Sequence, residues 1–190
     1  MNLPNQLTVS RFVLTVAFLV AIYWEFPFNE TVALVIFCLA GMTDWVDGEV
    51  ARRRKLITNF GVLMDPLADK ILTCSAFIAF VGLHYIPAWM VVIIVARELA
   101  ITGLRLLAAS KQQVLAAEGY GKHKTISQIT AIIAILVEVS YQQWGALGRL
   151  VFGAWVHVFT ELSIWLTVVL TFVSGTLYLW RNRRLYLDDL

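Results

Sequence analysis

Six apolar runs, at residues 8–24, 31–50, 61–83, 88–109, 125–139 and 157–179, fill most of this 190-residue chain. Each approaches the ~20 residues that a helix needs to cross a hydrocarbon core. Short polar connections separate them, so the chain cannot bury its apolar surface in one water-solvated core. Charged residues make up only 15% of the sequence, hydrophobic ones 59%, and mean hydropathy is +0.75, far from the soluble globular average of about 25% charged. The expectation is an all-α integral membrane protein, a six-transmembrane-helix bundle forming one domain over residues 1–190. No linker, low-complexity tract or internal repeat divides it. The first run has no separate basic leader or small-residue cleavage pattern, passing from Ile22 into Tyr23, Trp24 and Glu25, and is expected to stay as the first helix.

Basic residues set the expected orientation. Arg52, Arg53, Arg54 and Lys55 lie between spans two and three, Lys111, Lys122 and Lys124 between four and five, and Arg181, Arg183 and Arg184 after span six. The opposite connections at 25–30 and 82–87 carry no Lys or Arg, and the one between spans five and six has only Arg149. The positive-inside rule then puts both termini in the cytoplasm. Trp24, Trp89, Trp144, Trp155 and Trp180 fall near span ends, as interfacial anchors do. Cys38 and Cys74 share no metal-ligand spacing and read as buried thiols. The net charge of +2 is otherwise uninformative; the basic tail either anchors a helix end or touches anionic membrane lipid, and no nucleic-acid partner is expected.

Against this apolar background stand four carboxylates within 26 residues: Asp44 and Asp47 in span two, Asp65 and Asp69 in span three. Acids inside a span are expensive unless a metal, a cation or a polar cavity compensates them. Helical periodicity puts Asp44, Asp47, Gly48 and Ala51 on one stripe and Gly61, Asp65 and Asp69 on another. The short turn through Arg52–Lys55 makes the two spans an antiparallel pair whose stripes can converge. At ~1.5 Å per residue, Asp47 and Asp65 sit on the order of 10 Å inside the cytoplasmic boundary, at lipid headgroup depth. Clustered carboxylates raise one another's pKa unless cations are present. An all-oxygen donor set suits Mg²⁺ or Mn²⁺, and four acids can hold two ions. Gly48 and Ala51 leave room for a bulky ligand, and Arg52 offers a charged fork to phosphate oxygens.

The pattern Asp44-x-x-Asp47-Gly48-x-x-Ala51-Arg52, eight residues, then Gly61-x-x-x-Asp65-x-x-x-Asp69 resembles, at every fixed position, the signature of the CDP-alcohol phosphotransferases. These are six-helix membrane enzymes that move a phosphoalcohol from a CDP-linked donor to an alcohol and release CMP. The resemblance implies that Asp44, Asp47, Asp65 and Asp69 bind metal, with Asp69 also the general base. It further implies that Gly48, Ala51, Arg52 and Gly61 cradle the cytidine diphosphate, and that the protein is a homodimer. Asp69, at the far end of its stripe, is the acid placed to reach an acceptor hydroxyl.

Four further stretches resemble the branch of that family in which CDP-diacylglycerol reacts with glycerol 3-phosphate in the bacterial cytoplasmic membrane, the active site facing the cytoplasm. They are Asn2 to Thr8 with Arg11, Met64 to Lys70, Ala96-Arg97-Glu98 with Thr102 to Arg105, and Gly121 to Thr125. Thr8 and Arg11 either close the cytidine side or cap and anchor the first helix. Arg97 and Arg105 lie a little over two turns apart on roughly one face of span four, and Lys122 and Lys124 enter at the start of span five. Arg97, Arg105 and Lys122 thus form an expected pocket for an acceptor that carries its own phosphate. Glu98 is placed to orient an arginine. The rival readings are a cardiolipin, phosphatidylserine or phosphatidylinositol-phosphate synthase of the same family and, in a different class, an ion or proton transporter, against which the one-sided depth of the acids argues.

Overall fold

The structure is a computed structural model that describes residues 3–54, 59–111 and 120–187, with side chains described for 9–42, 70–111, 123–183 and 185–186. It is all-helical among these residues. The long helices are α1 (Leu3–Tyr23), α2 (Asn29–Arg54), α3 (Asn59–Gly82), α4 (Ala88–Ser110), α5 (Tyr120–Ser140) and α7 (Val156–Arg181). Each contains or overlaps one of the six apolar runs. The short helices α6 (Gly145–Phe152) and α8 (Arg184–Leu187) complete the described chain.

The order of contacts follows from the side chains. α1 packs on both α2 and α3, α5 on α2, α3 and α7, and α4 on α3 and α7. All six long helices contribute to one core, through Phe18 and Ile22, Ala33 and Phe37, Phe77 and Phe80, Met90 and Ile94, Ile132 and Leu136, and Ile164 and Val168. Alanines at 21, 33, 40, 76, 79 and 131 alternate with these large side chains and let the helices approach. Helix-to-helix hydrogen bonds reinforce the α5–α7 seam: Thr160 donates to the Ala134 carbonyl at 3.2 Å and Thr167 to the Ser127 carbonyl at 2.9 Å.

The outward surface is also apolar. Val13, Val16 and Val20 on α1, Val92, Leu99 and Leu106 on α4, and Leu162, Leu166 and Phe172 on α7 are all at least half exposed. Apolar surface recurring along several helix exteriors suits a lipid solvent. Exposed Trp24, Trp89, Trp155 and Trp180 lie at helix ends, as expected of interfacial rings.

The connection between α5 and α7 is itself helical over most of its length. A 3₁₀ turn at Tyr141–Trp144 leads through Gly145, whose φ of +70° allows a sharp change of direction, into α6. The turn is latched to the start of α2: Trp144 Nε1 donates to Thr31 Oγ1 at 3.0 Å, Thr31 Oγ1 to Gln143 Oε1 at 2.9 Å, and Gln143 Nε2 to both Asn29 and Glu30. At the same end, in the turn between α3 and α4, burial and the Glu30 carboxylate hold the Tyr85 phenol above its usual range.

Candidate functional site

The acid pattern lies on two unbroken helices. α2 continues unbroken to Arg54, so Asp44, Asp47, Gly48, Ala51 and Arg52 ride on one helix near its C-terminal end. α3 starts at Asn59 and runs unbroken through Pro66, with Gly61, Asp65 and Asp69 in its first half. The side chains of all eight, and of Thr8 on α1 and Lys122 on α5, lie outside the described residues. Among the described residues, no group of three or more His, Cys, Asp or Glu comes together as a metal site. His123, read from sequence as a loop residue, is exposed on the first turns of α5. Cys38 and Cys74 are half-buried free thiols.

The described part of the site begins one residue beyond Asp69, with Lys70 on α3. Across from it, Glu98 on α4 is 4% exposed, and the aligned side chains explain how a carboxylate survives there. Its Oε1 accepts hydrogen bonds from Arg97 Nη1 at 3.2 Å and from Gln128 Nε2 at 3.3 Å, and pairs closely with Lys124 Nζ. Its Oε2 faces Lys70 Nζ at 3.6 Å. Lys70 Nζ also hydrogen-bonds Thr102 Oγ1, which itself donates to the Glu98 carbonyl at 2.7 Å. Lys124 and Gln128, four residues apart and both buried, form one stripe of α5 aimed at this point. A buried carboxylate is tolerated where every lone pair has a donor, and here α3, α4 and α5 all supply one.

Arg97 and Arg105 share the face of α4 that meets α7, as their spacing predicts. The Arg97 stem lies against Gly175, where a Cβ would come within 2.7 Å of Arg97 Cγ. Only a residue without a side chain admits that approach. Among the described residues Arg97 Nε is buried without a hydrogen-bond partner, and so is Thr171 Oγ1 one turn before Gly175 on α7. Orphaned polar atoms of this kind are rare in folded proteins and need an explanation. Arg105 Nε donates to the Tyr178 hydroxyl at 3.5 Å, with the guanidinium 5.8 Å from that ring's centroid. Tyr178 is buried with Ile101 and Leu104, which fixes the platform beneath Arg105.

The structure therefore joins Arg97, Lys124 and Lys70 through Glu98 and sets Arg105 two turns along α4. Lys70, Gln128, Gly175 and Tyr178 were not assigned roles from sequence. Lys70 had a signal, a lysine directly after the last acid of the motif. Gly175 and Tyr178 had none, because both read as ordinary residues of an apolar span.

Comparison with known proteins agrees with the motif. A family model described as CDP-alcohol phosphatidyltransferase matches residues 1–175. A Bacillus subtilis protein named CDP-diacylglycerol--glycerol-3-phosphate 3-phosphatidyltransferase is 39% identical over 193 aligned residues, covering 95% of each chain. Proteins of the same name from Salmonella typhimurium and from Yersinia pestis are 37% and 36% identical, covering 71% and 72% of this chain and 76% and 77% of their own.

Proposed function

The chain belongs to the CDP-alcohol phosphatidyltransferase family, and on that premise we propose that it transfers the phosphatidyl group of CDP-diacylglycerol to glycerol 3-phosphate, yielding phosphatidylglycerophosphate and CMP. The single observation that carries the acceptor is the cationic cluster of Arg97, Lys70 and Lys124, with Arg105 beyond it, directly after the acid motif. An acceptor alcohol without a phosphate has no use for it. The orphaned Arg97 Nε is a donor for which an acceptor phosphate oxygen is the natural partner.

In this reading residues 1–190 form one domain of six spans in the bacterial cytoplasmic membrane, with both termini and the site on the cytoplasmic side, working as a homodimer. Asp44, Asp47, Asp65 and Asp69 hold Mg²⁺ or Mn²⁺, most simply as two ions, and the chemistry of the donor set fits: four carboxylates and no soft ligand. Bound there, the ions supply charge neutralisation on the pyrophosphate and so ease the departure of CMP. Gly48, Ala51 and Gly61 let the cytidine diphosphate lie close to the backbone, Arg52 clamps its phosphate, and Thr8 closes the cytidine side. Arg97, Arg105 and Lys122 hold the phosphate of glycerol 3-phosphate, aided by Lys124 and Lys70. Asp69 takes the proton of the attacking hydroxyl, and its position next to Lys70 puts base and acceptor clamp one residue apart on α3.

The test is CMP release from CDP-diacylglycerol by purified protein with Mg²⁺ or Mn²⁺, against glycerol 3-phosphate, glycerol, serine, inositol phosphate and phosphatidylglycerol. Turnover with glycerol 3-phosphate alone is the expected result. Equal turnover with glycerol removes the phosphate pocket, and preference for another acceptor reassigns the branch.

A further inference from the structure

We propose that Glu98 is a positioning residue of the acceptor site, holding Arg97, Lys124 and Lys70 in the arrangement that binds phosphate; this rests on the acceptor reading above. Successive side chains on a helix diverge by about 100°, so Arg97 leaves α4 toward α7 while Glu98 leaves it toward α3 and α5. The guanidinium nevertheless turns back to Glu98 Oε1 at 3.2 Å. Glu98 is thus the point where the cation on the α7 side meets the two on the α3 and α5 side.

Charge alone argues against a carboxylate here. A negative group beside a phosphate site repels the ligand and, if its only effect were electrostatic, its removal would tighten phosphate binding. Orientation acts with the opposite sign. Three cations on long, rotamer-rich side chains repel one another, and a shared anion narrows the arrangements open to them, leaving less ordering for each incoming phosphate to impose. Both carboxylate oxygens are engaged, Oε1 also by Gln128, so Glu98 itself has little freedom to approach substrate. The Lys70–Thr102 contact extends the device, tying the register of α3, which carries Asp65 and Asp69, to that of α4.

The experiment is steady-state kinetics on the full chain in detergent with Mg²⁺, for wild type, Glu98→Gln and Glu98→Asp. Calorimetric binding of inorganic phosphate is measured on the same proteins. Glu98→Gln is expected to raise the KM for glycerol 3-phosphate about tenfold and weaken phosphate binding by a similar factor. The KM for CDP-diacylglycerol and kcat at saturation should stay within about threefold. Glu98→Asp, which restores the charge one methylene shorter, should recover part of the loss. An unchanged or lowered acceptor KM, or equal rises in both KM values, overturns the proposal. If Glu98→Gln does not fold, Gln128→Leu takes its place, since it frees Glu98 without altering any charge; an unaltered acceptor KM in both Gln128→Leu and Glu98→Asp also overturns it. Should wild type bind phosphate yet ignore glycerol 3-phosphate, the functional reading fails while Glu98 is still judged, because equal phosphate affinities in wild type and variant overturn its role. Wild type that binds no phosphate overturns both.

Discussion

The two ends of this helix bundle are built on opposite principles. Toward the end where α3 turns into α4, the interior is phenylalanine, isoleucine and alanine, with Phe77 and Phe80 meeting edge to face at 6.5 Å and Phe18 against Phe37 at 5.9 Å. Toward the end where α4 and α7 finish, the helices meet through Glu98, Lys70, Arg97, Lys124 and Gln128. The first arrangement gains from close contact whatever is bound. The second has its cations converging on one carboxylate and leaves a donor of Arg97 unmatched among the described residues, which suits a site whose remaining partner is a ligand. Each half therefore has its own way of failing, and substitutions can separate them.

The largest effect is expected from the acids. Asp65→Asn or Asp44→Asn should reduce CMP release by more than about a hundredfold, since even outer-shell partners of a metal ligand contribute ten- to a hundredfold in affinity or activity. Thermal unfolding in detergent should hardly change, because the apolar half is untouched. Chelator should abolish wild-type turnover and added divalent ion restore it. Near-normal turnover in either variant would falsify the metal assignment.

Phe80→Ala is the reverse experiment. Phe80 is fully buried and touches Phe77 and Tyr85, so its truncation should lower stability by about 3–5 kcal/mol, seen as a lower melting temperature. Both KM values of the surviving folded protein should match wild type. A shift confined to acceptor KM would mean that the two halves are coupled more tightly than their chemistry suggests.

A smaller, more selective effect is expected at the cations. If Arg105 holds the acceptor phosphate, Arg105→Gln removes a charge-assisted contact, worth about 1.5–3 kcal/mol, and should lower kcat/KM for glycerol 3-phosphate about ten- to a hundredfold through KM. Kinetics with varied CDP-diacylglycerol should show its KM nearly unchanged. If donor KM rises in parallel, Arg105 serves the donor and the acceptor pocket must be redrawn around Arg97 and Lys124.

How much of this was legible follows the same division. Apolar runs announce helices because a membrane-length stretch has few other ways to satisfy its backbone, so the six long helices appear where expected. The acid motif was legible for the complementary reason, as charge placed where charge is costly. The spacing of Arg97 and Arg105 gave their shared face, and adjacency suggested the Arg97–Glu98 contact. What one chain's periodicity does not reveal is which helix lies opposite. That α1 and α5 border α2, and that Lys70 and Lys124 both reach Glu98, depends on contacts that helical periodicity does not encode. The 3₁₀ turn and α6 were hidden differently, since Gln143 and Trp144 acquire their partners only once α2 is beside them.

The smallest predicted effect gives the finest division, and it uses two glycines. Gly175 on α7 faces Arg97, and a Cβ there would meet Arg97 Cγ at 2.7 Å, whereas among the described residues nothing lies within 4 Å of a Cβ at Gly103 on α4. Both substitutions to alanine improve helix propensity by up to about 1 kcal/mol. At Gly103 that gain is unopposed, so Gly103→Ala should leave both KM values alone and stabilise the protein slightly. At Gly175 the clash is with Cγ, close to the arginine backbone, so the whole stem must shift and the guanidinium moves off its seat beside Glu98. Gly175→Ala should therefore raise acceptor KM by roughly three- to tenfold and lower the melting temperature modestly, with donor KM little altered. A drop in melting temperature with unchanged acceptor KM would mean that Gly175 serves helix contact alone, and the Arg97 seat would have to be set by Glu98 without help from α7.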